Sequence, residues 1–169
     1  LETYRLFFMF LYWTGCRKGE AQGLQYTDFS DDTVYIHQQW TQRHKLEPLK
    51  NDPSIRRLKL ADTLRDEIRP LLERCDPDRP FVFGGVKPLS ASTIKWQFDH
   101  ATQAAGVKVI TVHDLRHSFA TNMINNDANI VAVSKYLGHA NINTTLKTYT
   151  HLLAQTNDKM IGLIDTMMK

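Results

Sequence analysis

The longest apolar run of the chain, LFFMFLYW from Leu6 to Trp13, lies near its beginning. A helix needs about 20 apolar residues to cross a bilayer, so this run is far too short to be a membrane span. It must instead be covered by other parts of the chain. With 169 residues, of which 42% are hydrophobic, the chain can bury a core large enough to cover it. The run therefore predicts a buried first helix in a single domain.

Helical periodicity and helix-ending residues recur along the rest of the chain. Gly15 is suited to the left-handed residue that closes a helix. Apolar residues from Leu64 to Leu72 fall on one helical stripe, with Pro70 as a kink or an end. The segment LSASTIKWQFDHATQAAG starts with Ser and Thr cap residues and ends on Gly106. VHDLRHSFATNMINND and NIVAVSKYLGH predict two more helices, the second ending at Gly138, and the remainder predicts two further helical stretches.

One part of the chain predicts β-structure. VYIHQQWTQ and SIRRLKL are rich in β-branched and aromatic residues and alternate in polarity, and the turn-like KLEPLKNDP lies between them. We expect a β-hairpin or small antiparallel sheet from Val34 to Leu60, with Lys50 near its tip. The fold class is then mainly α with one small antiparallel β-sheet.

Positive charge is concentrated in the predicted hairpin. Six Lys or Arg residues lie between Arg43 and Lys59, against two acids, Glu47 and Asp52. The formal net charge of +3 allows a nucleic-acid partner without requiring one, so this distribution matters more than the total. The cluster fits either a solvated face or a contact with nucleic acid.

Cysteine usage and the first residue bear on compartment and completeness. Two cysteines, Cys16 and Cys75, cannot make a disulfide framework, and nothing resembles a secretory signal peptide. Both observations favour a reducing compartment. The chain begins at Leu1 and enters a helix almost at once, which predicts a fragment of a longer protein with further domains upstream.

The motif HDLRH places several cations on one helical face. His113 and Arg116 are three residues apart, so their side chains lie about one turn from each other. A metal site is one explanation, because His113 and His117 are four apart as in a zinc helix, but that motif requires Glu where Asp114 stands. An arginine between two ligands would also repel a cation. A surface ion pair with Asp114 and an anion site are the other interpretations.

Three more residues have ordinary interpretations when each is taken alone. Arg17 follows a helix-ending glycine and could be a cap or a surface charge. His139 follows Gly138 and could satisfy carbonyl groups at a helix end. Tyr149 could be a core or surface aromatic residue of an amphipathic segment.

Together these motifs resemble a known family. TGCRKGEAQGL, PLKNDPSIRRLKL, HDLRHSFAT, LGHANINTT and LKTYTH occur in the order found in the catalytic domain of tyrosine site-specific recombinases, in the phage and transposon integrase branch. The resemblance covers about Leu1 to Leu153. It implies the integrase catalytic-domain fold and DNA integration or recombination, as in phages and mobile elements.

The resemblance also implies roles for particular residues. Arg17 and Arg116 match the two catalytic arginines, and His113 matches the histidine that precedes the second. His139 matches the position that is His or Trp in the family, and Tyr149 matches the nucleophile. Lys50 matches the hairpin lysine through its spacing to SIR, although Lys45 and Lys59 are nearby. The supporting positions are Glu20 and Asp114, and the expected phosphate contacts are Arg43, Lys45, Arg56 and Arg57.

These residue types suit the cleavage of a DNA phosphodiester. Two guanidinium groups can stabilise the charge that develops on the non-bridging oxygens. Tyr149 would attack phosphorus with His113 as the base, while Lys50 protonates the leaving 5′ oxygen and His139 donates a hydrogen bond. A 3′-phosphotyrosine would conserve the bond energy, so neither metal, ATP nor another cofactor is expected.

The resemblance further implies partners and a location. We expect double-stranded DNA attachment sites, a homotetramer on DNA, and accessory DNA-bending or directionality factors, but no membrane. Residues 152–169 carry apolar residues at helical spacing and could pack on their own domain or on a neighbouring protomer. The implied location is the cytoplasm of a bacterial host, associated with the nucleoid.

Three alternatives remain open from the sequence. An inactive DNA-binding module could keep the fold without the chemistry. A type IB topoisomerase would use the same tyrosine chemistry to relax supercoils. A metal-dependent hydrolase would lose its activity on chelation.

Overall fold

The computed structural model describes residues 1–50, 52–143, 146, 148, 149, 164 and 166–168. Its helices in these ranges are α1 (Glu2–Thr14), α2 (Lys18–Gly23), α3 (Asp62–Leu72), α4 (Ala91–Ala104), α5 (Asp114–Asn125) and α6 (Ile130–Leu137). Short 3₁₀ turns span Tyr26–Asp28 and Asp52–Ser54. The strands are β1 (Phe29–Ser30), β2 (Thr33–Ile36), β3 (Gln38–Trp40), β4 (Leu46–Pro48) and β5 (Arg56–Lys59).

The strands form two antiparallel sheets rather than one. β2 lies between β1 and β5, with Val34 opposite Leu58, and β3 pairs separately with β4. The predicted class, mainly α with small antiparallel β-structure, is confirmed. The predicted place of Lys50 is wrong, because the hairpin turns at Thr41–Lys45, where the Thr41 amide donates to the Lys45 carbonyl at 2.9 Å. Lys50 follows β4 near the base of that hairpin.

Helix α1 is buried along most of its apolar run, as predicted. Phe7 and Phe10 are fully buried, and both pack against Phe83 with ring centroids 5.2 and 5.4 Å away. Each such ring stabilises the fold by roughly 1.5 to 3 kcal/mol through burial. The run is not buried to its end, since Trp13 is 47% exposed.

The hairpin of β3 and β4 lies directly on α2. A Cβ atom added at Gly19 would stand 2.9 Å from the Trp40 carbonyl oxygen, and one added at Gly23 would stand 3.1 Å from the Gln39 backbone. Glycine is therefore what allows the two backbones to touch. The hairpin and α2 meet here without a side chain between them.

Two helices end on left-handed glycines, as predicted, and their ends meet. Gly15 after α1 has φ of 62° and Gly138 after α6 has φ of 72°. A Cβ atom at Gly15 would lie 2.5 Å from a Leu137 methyl group and 2.8 Å from the Phe119 ring. The close approach brings the ends of α1 and α6 against the side of α5.

Some predictions fall outside the described residues. Apart from four scattered positions, the tail from 152 to 169 is not among them, so its predicted packing remains a prediction. Within the described ranges, no helix has both the length and the apolar character of a bilayer span.

Gly15→Ala should destabilise the fold more than Gly106→Ala. Both glycines are left-handed, with φ of 62° and 63°, so each substitution carries a similar backbone cost of about 1 to 2 kcal/mol. Only Gly15 is crowded, because a Cβ at Gly106 meets nothing within 4 Å. Urea unfolding of the two variants should differ by about 1 kcal/mol or more. Equal losses would contradict the packing described for the ends of α1 and α6.

Candidate active site

Most of the predicted catalytic residues line one pocket of about 340 Å³. Five of the six are present: Arg17, His113, Arg116, His139 and Tyr149. They come from the residue before α2, from α5 and the residue before it, and from the chain after α6. The remaining lining residues are Ser54, His117, Leu137, Gly138, Ala140, Asn141 and Thr148.

Arg116 lies at the bottom of the pocket and is only 4% exposed. One terminal nitrogen donates to the Gly15 carbonyl at 2.7 Å and the other donates to the Leu137 carbonyl at 2.8 Å. Burial and the nearby Arg17 lower the pKa of Arg116 to about 10, which still leaves it charged at neutral pH. The guanidinium is therefore a fixed cation held by two helix ends.

Arg17 is held by the buried Glu20 one turn away. The Arg17 side chain donates to one Glu20 carboxylate oxygen at 2.7 Å, and its backbone amide donates to the other at 3.0 Å. The Arg17 side chain remains 37% exposed, whereas that of Glu20 is 0% exposed. The carboxylate thus fixes an arginine whose outer side is open to the pocket. Glu20 thus contacts Arg17 directly, and its supporting role in catalysis stays a prediction.

Arg56 occupies a different place from the one expected for a phosphate contact. Its side chain is only 8% exposed and donates to Glu20 at 2.9 Å. It also donates to the carbonyl groups of Tyr136 and Ser54, each at 2.8 Å. These contacts turn the guanidinium into the interior, so Arg56 braces Glu20 and the end of α6 instead of facing a ligand.

His113 and His139, which both line the pocket, have lowered pKa values. Burial, and then Arg116 and Arg17, lower the pKa of His139 to about 4. Burial, and then His117 and Arg116, lower the pKa of His113 below its ordinary value. Both imidazoles are therefore neutral at neutral pH and can offer a single N–H donor. The positive charge of Arg17 and Arg116, which disfavours protonation of these imidazoles, also suits an anionic ligand.

Asp114 acts at the start of α5 rather than inside the pocket. One of its carboxylate oxygens accepts hydrogen bonds from the backbone amide and hydroxyl of Thr111 at 2.7 and 2.8 Å. These bonds lower the pKa of the Asp114 carboxyl. They fix the turn that carries His113, and the supporting role of Asp114 stays a prediction.

The hydroxyl of Tyr149 contacts His117, a residue given no role by the sequence. The Tyr149 oxygen lies 3.0 Å from His117 Nδ1, and Tyr149 is only 4% exposed. His117 in turn meets the His113 ring edge to face, with centroids 5.0 Å apart. In the sequence, the four-residue spacing of His113 and His117 is the only hint of a role for His117. That spacing indicates a metal site as readily as a contact with a tyrosine.

The three candidate lysines lie outside the lining of this pocket. Lys59 pairs with Asp32 at 3.1 Å at one end of the three-stranded sheet. Lys45 lies at the turn of the β3–β4 hairpin, and Lys50 is four residues before Ser54, which does line the pocket. The assignment of Lys50 as the catalytic lysine stays a prediction.

The rival interpretation of HDLRH as a metal site finds no support in the side-chain arrangement. Among the residues that the structure describes, no three His, Cys, Asp or Glu side chains are grouped as metal ligands. The His113 ring instead meets the His117 ring, and His117 Nδ1 contacts the Tyr149 hydroxyl.

Comparison with known proteins identifies the family of the chain. The model of the phage integrase family matches residues 2–156, which is nearly the whole chain and includes every residue of the pocket. The chain belongs to the phage integrase family.

Individual relatives are recombinases. Tyrosine recombinase XerD of Chlamydia trachomatis is 29% identical over 147 residues, covering 86% of this chain and 47% of XerD. Tyrosine recombinase XerA of Pyrococcus furiosus is 30% identical over 156 residues, covering 89% of this chain and 51% of XerA. The chain thus spans about half the length of the curated relatives it matches.

Solved structures give the same fold. The Tn1549 transposon integrase, in complex with transposon right end DNA, superimposes with a TM-score of 0.75 at 20% identity over 92% of this chain and 57% of the integrase. XerA recombinase gives a TM-score of 0.70 at 23% identity, covering 92% of this chain and 57% of XerA. The fold of this phage integrase domain is that of a tyrosine recombinase catalytic domain.

Stability should fall in acid partly through Glu20. Burial alone would raise the pKa of this carboxyl, but Arg56 and Arg17 hold it below the ordinary value of 4.5. A lowered pKa contributes stability above pH 4.5 that is lost as pH falls through the folded-state pKa. Glu20→Gln should therefore be less stable by about 2 kcal/mol at pH 7 and lose less on acidification.

Urea unfolding at pH 7 and in mild acid measures both effects. Glu73→Gln removes an exposed carboxylate on the C-terminal side of α3 and is the matched control. It should follow the wild type at both pH values. An acid response of Glu20→Gln equal to that of the wild type would contradict the role of the buried carboxylate.

Proposed function

We propose that this chain is the catalytic domain of a site-specific recombinase that cuts and rejoins double-stranded DNA through a 3′-phosphotyrosine intermediate. The observation that carries the proposal is the pocket itself, where Tyr149 lies with Arg17 and Arg116 among its lining residues. A nucleophile beside two fixed guanidinium groups is suited to displacement at a phosphodiester. The family match supports the same chemistry.

The arginines stabilise the charge of the transition state. Attack at phosphorus places charge on the non-bridging oxygens, and guanidinium groups bind such oxygens through paired planar donors. Arg116 is held by two carbonyl groups and Arg17 by Glu20, so neither must be reoriented during the reaction. Fixed donors of this type are typically worth a few kcal/mol each at the transition state.

The neutral histidines and a lysine complete the proposed machinery. Their lowered pKa values leave His113 and His139 uncharged before the phosphate binds. Each neutral imidazole then has one N–H that it can donate to a phosphate oxygen. Lys50 donates a proton to the leaving 5′ oxygen when the bound DNA brings it to the phosphate. The phosphotyrosine retains the energy of the phosphodiester, so religation to another strand requires neither ATP nor metal.

The β3–β4 hairpin is the proposed contact with the DNA backbone. Its turn carries Arg43 and Lys45, both exposed, and Arg57 lies exposed over the Tyr35 ring at 4.4 Å. Such cations position a protein on DNA without reading bases. Assembly into a tetramer on paired attachment sites, with accessory factors, belongs to the same proposal and concerns the full-length protein.

Tyr149→Phe should abolish formation of a covalent protein–DNA adduct, because it removes the attacking oxygen alone. The full-length protein is incubated in EDTA with supercoiled plasmid carrying its attachment site, then denatured to trap the adduct. Tyr12→Phe, which changes a tyrosine on α1 outside the pocket lining, is the control and should retain adduct formation. An adduct with Tyr149→Phe, or dependence on a divalent metal, would contradict the mechanism.

The products of the same reaction separate the related activities. Joined strands from two different sites indicate recombination, whereas relaxed plasmid alone indicates a topoisomerase. DNA binding by the full-length protein without either product indicates the inactive DNA-binding module.

Arg43→Ala should reduce the salt dependence of DNA binding. Removing one cation that neutralises a phosphate makes the slope of log K against log salt shallower by about 0.9. Arg69→Ala removes an arginine of α3 that is already paired with Asp66, and it should leave the slope unchanged. Fluorescence anisotropy over a range of NaCl concentrations measures both. An unchanged slope with Arg43→Ala would remove the hairpin turn from the DNA interface.

A further inference from the structure

The hydroxyl of Tyr149 and the imidazole of His117 form a direct pair. Oη and Nδ1 are 3.0 Å apart, and the ring centroids are 6.4 Å apart at 52°. The tyrosine is buried, whereas His117 is an exposed residue of α5. Within the described part of the chain, the charged and titratable groups that act on one member of the pair are His113, Asp114, Arg116 and His139.

A buried phenol cannot attack phosphorus without losing its proton. Burial raises the pKa of Tyr149, and the nearby Arg116 only partly offsets this effect. At neutral pH the hydroxyl is therefore almost fully protonated. A base in hydrogen-bond contact is required, and a contact of about 2.6 to 3.2 Å is the geometry that proton transfer needs.

We propose that His117 is this base, and therefore a catalytic residue of the mechanism proposed above. As the Tyr149 oxygen forms its bond to phosphorus, its proton moves to His117 Nδ1. The bond from phosphorus to the 5′ oxygen breaks, and that oxygen keeps the electron pair and takes a proton from the general acid. The step uses the imidazole tautomer that carries its proton on Nε2, because in that tautomer the Nδ1 lone pair is free to accept.

The reverse reaction uses the same contact in the opposite direction. When a 5′-hydroxyl attacks the phosphotyrosine, the Tyr149 oxygen is the leaving group. The protonated His117 returns a proton to it through Nδ1, so one residue serves cleavage as base and religation as acid. The exposure of His117 lets it exchange protons with solvent if religation is delayed.

This assignment changes the role of His113 from that predicted by the sequence. Its ring meets His117 at 87°, which supports the orientation of the His117 ring toward the tyrosine. His113 also lines the pocket, so it remains available to donate to a phosphate oxygen. The two histidines of HDLRH therefore divide the work between phosphate and nucleophile.

His117→Asn separates proton transfer from simple hydrogen bonding. The Asn amide lies near the position of Nδ1 and keeps a hydrogen-bonding group for the tyrosine, but it cannot take up a proton. We expect cleavage to be slower by about 100-fold or more with His117→Asn and with His117→Ala. His100→Asn, the same change at an exposed histidine on α4, is the control and should cleave at the wild-type rate.

Two substrates identify the step that is affected. The full-length protein is given a nicked attachment site with either an ordinary phosphodiester or a 5′-bridging phosphorothiolate, whose sulfur leaves without a proton. The phosphorothiolate should restore cleavage to a variant that lacks the general acid. Lys50→Ala, which removes the proposed general acid, should therefore be rescued. The phosphorothiolate should not restore cleavage to His117→Asn, whose defect lies at the nucleophile. Raising the pH to 9, where Arg116 keeps most of its charge, should restore His117→Asn in part, since more of Tyr149 then ionises.

The outcomes distinguish this inference from the function on which it rests. No adduct with the wild type on either substrate would overturn the proposed phosphotyrosine mechanism itself. A wild-type adduct with His117→Asn cleaving at the wild-type rate would reduce His117 to a hydrogen-bond partner and overturn the inference. Rescue of His117→Asn by the thiolate would overturn it as well, because it would assign His117 to the leaving group.

Discussion

The site depends on one buried arginine that joins three helices. Arg116 extends from α5 and donates to the carbonyl groups of Gly15 and Leu137, which belong to the ends of α1 and α6. These carbonyls are at helix C-termini, where acceptors lack partners within the helix and carry partial negative charge. The contacts satisfy the helix ends and hold the cation at the same time. The arginine proposed to bind a phosphate is therefore also the residue that holds the ends of α1 and α6 together at the pocket.

Charge balance explains why the pocket favours an anion. Arg17 and Arg56 share the carboxylate of Glu20, while Arg116 is held by neutral carbonyl groups. Three cations thus face one buried anion in this network. Burial first, and then this excess of positive charge, lowers the pKa of His139 to about 4, because a further proton there would be poorly solvated and also repelled. A bound phosphate would supply the missing negative charge.

The features that could be predicted from the sequence were local structure, such as helix burial and helix ends, and the fold implied by the order of the motifs. The burial of α1 and the glycines that close α1 and α6 follow from periodicity and backbone conformation, and both are confirmed. The integrase fold followed from five short motifs and is confirmed as well. The tip position of Lys50 was wrong because turn-like residues occur on both sides of β4, and nothing in KLEPLKNDP distinguishes them. The contacts of Arg56 with Glu20 and of His117 with Tyr149 join residues 36 and 32 positions apart, so no local pattern could reveal them.

The glycine seam between α2 and the β3–β4 hairpin gives the domain a mechanical property. Because Gly19 and Gly23 put the hairpin backbone directly against α2, a load on the hairpin passes to that helix without compressible side chains in between. The same helix holds Glu20, which orients Arg17. In the proposed complex with DNA, a shift of the hairpin would therefore move α2 and, through Glu20, Arg17, so a misplaced duplex would also displace the arginine proposed to bind its phosphate.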